Sequence, residues 1–245
     1  MAELLVPRRF CGPPSSGNGG WSAGALAALV DAGPGAGITV SLRRPPPLDT
    51  PMPVTAAGGV TIASLGGAPE DDVVARAEPT EAEPPLADPV SPEEARAAEA
   101  SYAGLTFHPF PTCFSCGVDR AEGDGLRIFP GRVADQEGAA RVAATWTPHP
   151  SVCEDGVATV PTTWAALDCA GGWAGDLEER LMVLARITAR LDALPRMGEE
   201  HVVVGLAGRS EGRRTHTSAT LYDADGRVVA RAEHVWVAVD PADFR

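Results

Sequence analysis

The chain has 245 residues, 44% hydrophobic and 22% charged, enough for one large domain or two ordinary ones with a core that needs no covalent staples. Its 20 basic residues are all arginine and face 33 acidic ones, a formal charge of −13, so lysine Schiff-base chemistry and a P-loop lysine are excluded and no nucleic-acid partner is expected. Five cysteines at irregular spacing argue against a disulfide framework, and the lack of a signal-peptide pattern or of an apolar run of about eighteen residues predicts a cytoplasmic chain with no membrane segment.

The first strand candidate is ELLVPRRF (Glu3–Phe10), followed by a helix-like stretch of small and apolar residues, GWSAGALAALVDAG (Gly20–Gly33). Next come the strand ITVSL (Ile38–Leu42) and a hairpin with an acidic turn, TIASLGGAPEDDVVARAE (Thr61–Glu78). The following segment, Pro79–Tyr102, is rich in proline and acid and reads as a solvated linker; within it Ser91-Pro92-Glu93-Glu94 is a capping box that predicts a short surface helix. HPFPTCFSCG (His108–Gly117) precedes two strand candidates, GLRIFPGRV (Gly125–Val133) and AARVAATW (Ala139–Trp146). A second helix, TWAALDCAGGWAGDLEERL (Thr163–Leu181), leads to the strand ITARL (Ile187–Leu191), a loop around GRSEGRR (Gly208–Arg214) and a second hairpin, TSATLYDADGRVVARAE (Thr217–Glu233).

VVARAE occurs twice, at Val73–Glu78 and Val228–Glu233, and the two IT strands begin at Ile38 and Ile187. The order of helix followed by antiparallel strands therefore appears twice, which predicts a repeat in residues 1–80, a linker in 81–103 and a second repeat in 104–245. A doubly wound parallel sheet would need helices between nearly all strands, and here hairpins follow each helix.

This layout, of class α+β, resembles the hotdog fold in its tandem form: a double hotdog of two curved antiparallel sheets, each wrapped around a central helix and joined edge to edge as a pseudo-dimer. GNGGWSAGALAALVD is similar to the His-Gly-Gly helix start of hotdog acyl-CoA thioesterases of the phenylacetyl-CoA type, with Asn18 where that family often has histidine. TVPTTWAALDCAGGWA resembles the other half of the signature, an acidic residue nine positions beyond that histidine and followed by small residues, and Asp168 fits it. The complementary positions are lost: nine before Asp168 stands Thr159 without glycines, and nine after Asn18 stands Ala27 without an acid.

The resemblance implies one composite catalytic site of Asn18, Gly19, Gly20 and Asp168, hydrolysing an acyl-CoA or other acyl thioester, with coenzyme A entering only as part of the substrate and no other cofactor. Glycines at a helix start leave backbone N–H groups open to a developing oxyanion, and a partly buried carboxylate can serve as general base or nucleophile. Asn18 can orient the carbonyl or the water but cannot act as a base. Trp21, Ser22, Trp164, Thr188 and His234 are expected to contact substrate, with Trp173 beside the acyl groove and Glu233 a further polar candidate. Arg43, Arg44, Arg209, Arg213 and Arg214 sit near strand ends where coenzyme A phosphates could dock. Edge strands left after pairing make room for a homodimer. The rival reading is a duplicated hotdog that binds an acyl thioester or hydrophobic small molecule without cleaving it.

Other signals carry less. GWSAG (Gly20–Gly24) matches a nucleophile elbow, but no wide sheet precedes it to deliver Ser22 onto a sharp turn. Cys113-x-x-Cys116 is half a zinc knuckle that His108, His149 or Cys153 could complete; it is read as a packed turn, with no metal site expected. Gly123–Arg132 lacks the helix of a phosphate loop, and the residue five beyond Asp168 is Trp173 rather than the histidine of hotdog hydratases.

Overall fold

The computed structural model describes residues 2–33, 35–66, 72–175, 177–240 and 242. In chain order the elements are β1 (Glu3–Leu4), α1 (Gly19–Ala27), β2 (Gly37–Leu42), β3 (Met52–Ala57), β4 (Val60–Ser64), β5 (Val73–Thr80) and α2 (Pro92–Ala98). There follow β6 (Gly131–Gln136), β7 (Ala139–Trp146), the two-residue strands β8 (Cys153–Glu154) and β9 (Val157–Ala158), α3 (Val160–Ala174), β10 (Met182–Leu191), β11 (His201–Glu211), β12 (Arg214–Tyr222) and β13 (Val228–Ala238). All but β8 and β9 join one antiparallel sheet in the order β1-β3-β4-β5-β2-β10-β13-β12-β11-β7-β6.

The sheet passes from early to late strands at one seam, β2 against β10, where Thr39 lies opposite Thr188 and the two hydroxyls share a hydrogen bond of 2.9 Å. The sequence repeat is reproduced in register on both sides. Thr39 pairs with Glu78 as Thr188 pairs with Glu233, so each IT strand meets its own VVARAE strand at the same residue. The register refines the alignment of the preceding strands, because Ala63 pairs with Ala75 and Leu221 with Ala230; Thr61 therefore corresponds to Ala219 rather than Thr217. The acidic turn expected between β4 and β5 falls largely on residues 67–71, outside the described residues.

α3 starts where Thr159 accepts a hydrogen bond from Thr162 N–H, carries Pro161 in its first turn and stops at Gly175. It is buried from Thr162 to Ala174, since the sheet wraps one side and α1 covers another. Its glycines and alanines allow close approach: a Cβ on Gly205 of β11 would meet Ala170 O at 2.2 Å, and one on Gly171 would meet His234 Nδ1 at 2.6 Å.

Several boundaries differ from the sequence reading. The N-terminal strand ends at Leu4 and gives way to a 3-10 turn at Arg8–Phe10. Gly125–Pro130 is not a strand; its backbone is tied down by Leu126 N–H to Phe114 O and Ile128 N–H to Ser115 O, and pairing begins only at Gly131. The expected loop around Gly208–Arg214 is mostly strand, with the turn confined to Gly212 and Arg213 and Gly212 at φ 58°. The linker is less solvated than its composition predicts. Ala87, Val90 and Ala95 of α2 pack with Ala143, Val202, Val204 and Tyr222, Ala87 N–H donates to Thr220 Oγ1 at 3.0 Å, and Tyr222 OH donates to Ala87 O. The predicted helix is α2, capped by Ser91 Oγ accepting from Glu94 N–H at 3.2 Å.

Candidate active site

Asn18 organises the site from the first turn of α1. Its Oδ1 caps the helix by accepting from Trp21 N–H at 2.8 Å, which turns its amide nitrogen toward α3, where it donates to Asp168 Oδ2 at 3.0 Å. Gly20 N–H donates to the same carboxylate oxygen at 2.9 Å. Only glycine lets the helices come this close, because a Cβ at position 20 would lie 2.6 Å from Asp168 Cβ and 2.7 Å from Trp164 O. The four residues singled out as catalytic are thus brought together from two segments about 150 positions apart in the chain.

Asp168 is 2% exposed, and its second oxygen, Oδ1, has no hydrogen-bond partner among the described residues. Burial pushes its carboxyl up to about 7, helped by the neighbouring Cys113 and opposed by the hydrogen bonds from Gly20 and Asn18. One detail departs from expectation: Gly20 N–H is spent on the carboxylate and Trp21 N–H on the helix cap, so Gly19 N–H is the donor at this helix start without a partner among the described residues.

Asn18, Gly19 and Asp168 line a cavity of about 260 Å³. Leu42, Phe110, Leu184 and Trp236 give it apolar walls, and the exposed Arg43 and Arg44 lie along it, Arg44 paired with Asp72 at 3.1 Å. The other arginines lie elsewhere: Arg209 pairs with Glu211, Arg213 donates to Ala238 O, and Arg214 opens β12.

The residues expected to contact substrate do not line this cavity. Trp21 stacks on Phe10 with ring centroids 4.1 Å apart, and Ser22 is enclosed within α1 so close to Gly17 that a Cβ there would meet its hydroxyl at 2.5 Å. Trp164 sits against Gly24 at the helix crossing, Trp173 packs on Tyr102, and Thr188 is engaged with Thr39 at the seam. His234 lies beneath α3, its Nδ1 3.2 Å from Thr217 Oγ1, and burial lowers it to about 4, so its ring is neutral. Glu233, on the same strand, is likewise outside the lining.

What sequence reasoning missed is a group of thiols beside the carboxylate. Cys113, Cys116 and Cys169 are buried, all line the cavity, and their sulfurs lie within 4.8 Å of one another. Asn18 Nδ2 approaches Cys113 Sγ at 3.8 Å and Cys169 Sγ at 4.0 Å. Thiol hydrogen bonds from Cys116 and Cys169 hold Cys113 below the usual thiol range. The Cys-x-x-Cys spacing was the visible signal; its third member sits directly after Asp168, whereas His149 bonds Ser151 and Cys153 lies in β8.

The sheet and its two interior helices define the hotdog fold, as comparison with solved structures shows. A tesB protein from Mycobacterium avium subsp. paratuberculosis superposes with a TM-score of 0.58 at 14% identity, over 97% of this chain and 91% of that one. A hot dog fold protein of unknown function from Alicyclobacillus acidocaldarius gives 0.58 at 13% identity, covering 98% and 93%, and a provisionally assigned thioesterase II from Thermobifida fusca gives 0.56 at 16%, covering 97% and 92%. No protein-family model matches the sequence, and no curated protein is significantly similar to it. Among the described residues no helix is long and apolar enough to cross a membrane.

Proposed function

We propose that the chain is a double-hotdog thioesterase that hydrolyses an acyl-CoA or another acyl thioester at a single composite site. The observation that carries this reading is the buried carboxylate of Asp168 beside a cavity, held through one oxygen by Asn18 and Gly20 of the other helix while its second oxygen has no partner among the described residues. The matched registers on either side of the β2–β10 seam support the pseudo-dimer. Asp168 takes a proton from water, or attacks directly, through Oδ1; Gly19 N–H donates to the carbonyl oxygen as charge develops on it; Asn18 fixes the carboxylate. The thiol leaves without acid assistance because its pKa is only about 8.5. Arg43 and Arg44, exposed beside the cavity, meet the anionic part of the carrier in this reading.

Asp168→Asn keeps one oxygen that can accept both hydrogen bonds, so it is expected to retain the fold and lower acyl-CoA hydrolysis by at least about a hundredfold, the lower end of general-base effects. Hydrolysis at the parent rate by the folded variant would eliminate the reading. The second reading, binding without cleavage, is favoured by the engagement of Gly20 N–H with the carboxylate, which leaves Gly19 as a lone oxyanion donor. It predicts a wild-type protein that retains acyl thioesters unhydrolysed.

A further inference from the structure

We infer that Cys113, Cys116 and Cys169 form a binding site for a thiophilic divalent cation of the zinc class, with a fourth coordination position opening on the cavity. Cys113 and Cys116 have the spacing with which a turn presents two sulfurs to one metal, and α3 supplies the third from Cys169. Cys113 Sγ and Cys169 Sγ are 3.7 Å apart. Two sulfurs on a tetrahedral zinc with bonds of about 2.3 Å stand about 3.8 Å apart, whereas a disulfide requires about 2.05 Å. These two sulfurs are therefore set at the spacing of co-ligands, and Cys116 Sγ lies within 4.8 Å of both.

His108 is the obvious fourth ligand, and its hydrogen bonds argue against that role. Its Nδ1 accepts from Phe110 N–H at 3.0 Å, so the ring proton resides on Nε2, which faces Cys116 O at 3.1 Å and Cys116 Sγ at 3.3 Å. His108 donates to a ligand instead of binding the metal, the outer-shell role that steadies a thiolate. A second observation points to a polar ligand here: Asp168 Oδ1, fully buried on the residue adjoining Cys169, has no hydrogen-bond partner among the described residues. A cation held by the three sulfurs, with a water in its open position, would place a polar group where that oxygen has none. The inference does not rest on the hydrolase reading, because a cation can bind whether or not a thioester is cleaved.

The test uses the reduced, metal-free 245-residue chain titrated with Co²⁺ alone. Thiolate-to-cobalt charge-transfer absorption should saturate at one equivalent, vanish when one equivalent of Zn²⁺ is added, and be lost in Cys169→Ala but kept in Cys153→Ala. Because Cys169→Ala could disturb packing, metal analysis on the wild type supplies an independent readout: after incubation with excess Zn²⁺ and gel filtration, one equivalent of zinc should co-elute with the chain at unchanged hydrodynamic size. Absence of charge transfer in the reduced wild type, undiminished binding by Cys169→Ala, or zinc-free protein after gel filtration would each overturn the inference.

Discussion

Replacing Gly20 by alanine tests how far the site depends on the closeness of α1 to α3. The new Cβ would sit 2.6 Å from Asp168 Cβ and 2.7 Å from Trp164 O, about 1 Å inside ordinary carbon contact, so α1 must withdraw by roughly that amount. Such a shift stretches the 2.9 Å bond from Gly20 N–H to Asp168 Oδ2 beyond hydrogen-bond range. Overpacking costs about 1–3 kcal/mol, losing a buried hydrogen bond about 1–3 more, and the better helix propensity of alanine returns about 1, for a net loss near 3 kcal/mol. Gly24→Ala is the control: its Cβ meets Trp164 Cβ at 2.7 Å and Pro161 Cα at 2.8 Å but touches no hydrogen bond of the site, so its expected loss is nearer 1 kcal/mol. Urea denaturation midpoints at constant m-value read both, with acyl-CoA hydrolysis measured alongside and expected to fall further in Gly20→Ala. If Gly20→Ala equals or exceeds the wild type in stability, the helix crossing is soft and the argument for glycine fails.

Two further outcomes follow from particular contacts. His234 is held neutral by burial with its ring lowered from 6.5 to about 4, so the unfolded chain binds its proton first on acidification; stability is unaffected above about pH 6.5 and falls by up to about 3 kcal/mol as the pH drops toward 4. Denaturation of wild type and His234→Gln at pH 7.5 and pH 4.5 should show their difference moving in favour of the variant at the lower pH; a difference unchanged with pH would disprove the assignment. At the seam, Thr39→Val or Thr188→Val alone strands one hydroxyl and should cost about 1 kcal/mol, while the double variant should cost less than the sum. Strict additivity in that cycle would show that the hydroxyls do not interact.

How much could be read from the sequence depended on whether a signal was local or came from distant partners. The VVARAE duplication led to the two hairpins, β4 with β5 and β12 with β13, because each string closely follows another strand and folds back on it locally, while Asn18 and Asp168 were picked out by resemblance to a helix-start signature and prove to be hydrogen-bonded neighbours. β3 escaped notice because Met52–Ala57 carries a proline and small residues in place of a β-branched run, a weakness an outer strand tolerates. The linker misled for a different reason: its proline and acid predict solvation, yet every few residues a small apolar side chain such as Ala87 or Val90 fits the outer face of β11 and β12. The cavity lining was least legible. Large aromatics such as Trp21 and Trp164 attract attention, but Trp21 stacks on Phe10 and Trp164 fills the helix crossing, while the cavity is lined by residues like Leu184 and Phe110 whose sequence context says nothing of it.

The junction of β2 with β10 is internal to one polypeptide, so dilution cannot dissolve it as it would an assembly of separate chains. Where identical subunits meet, every substitution is written into both at once and symmetry is enforced. Here the asparagine that caps one helix and the threonine that caps the other are encoded independently, so either end of the molecule is free to specialise while its counterpart is left to serve as scaffold.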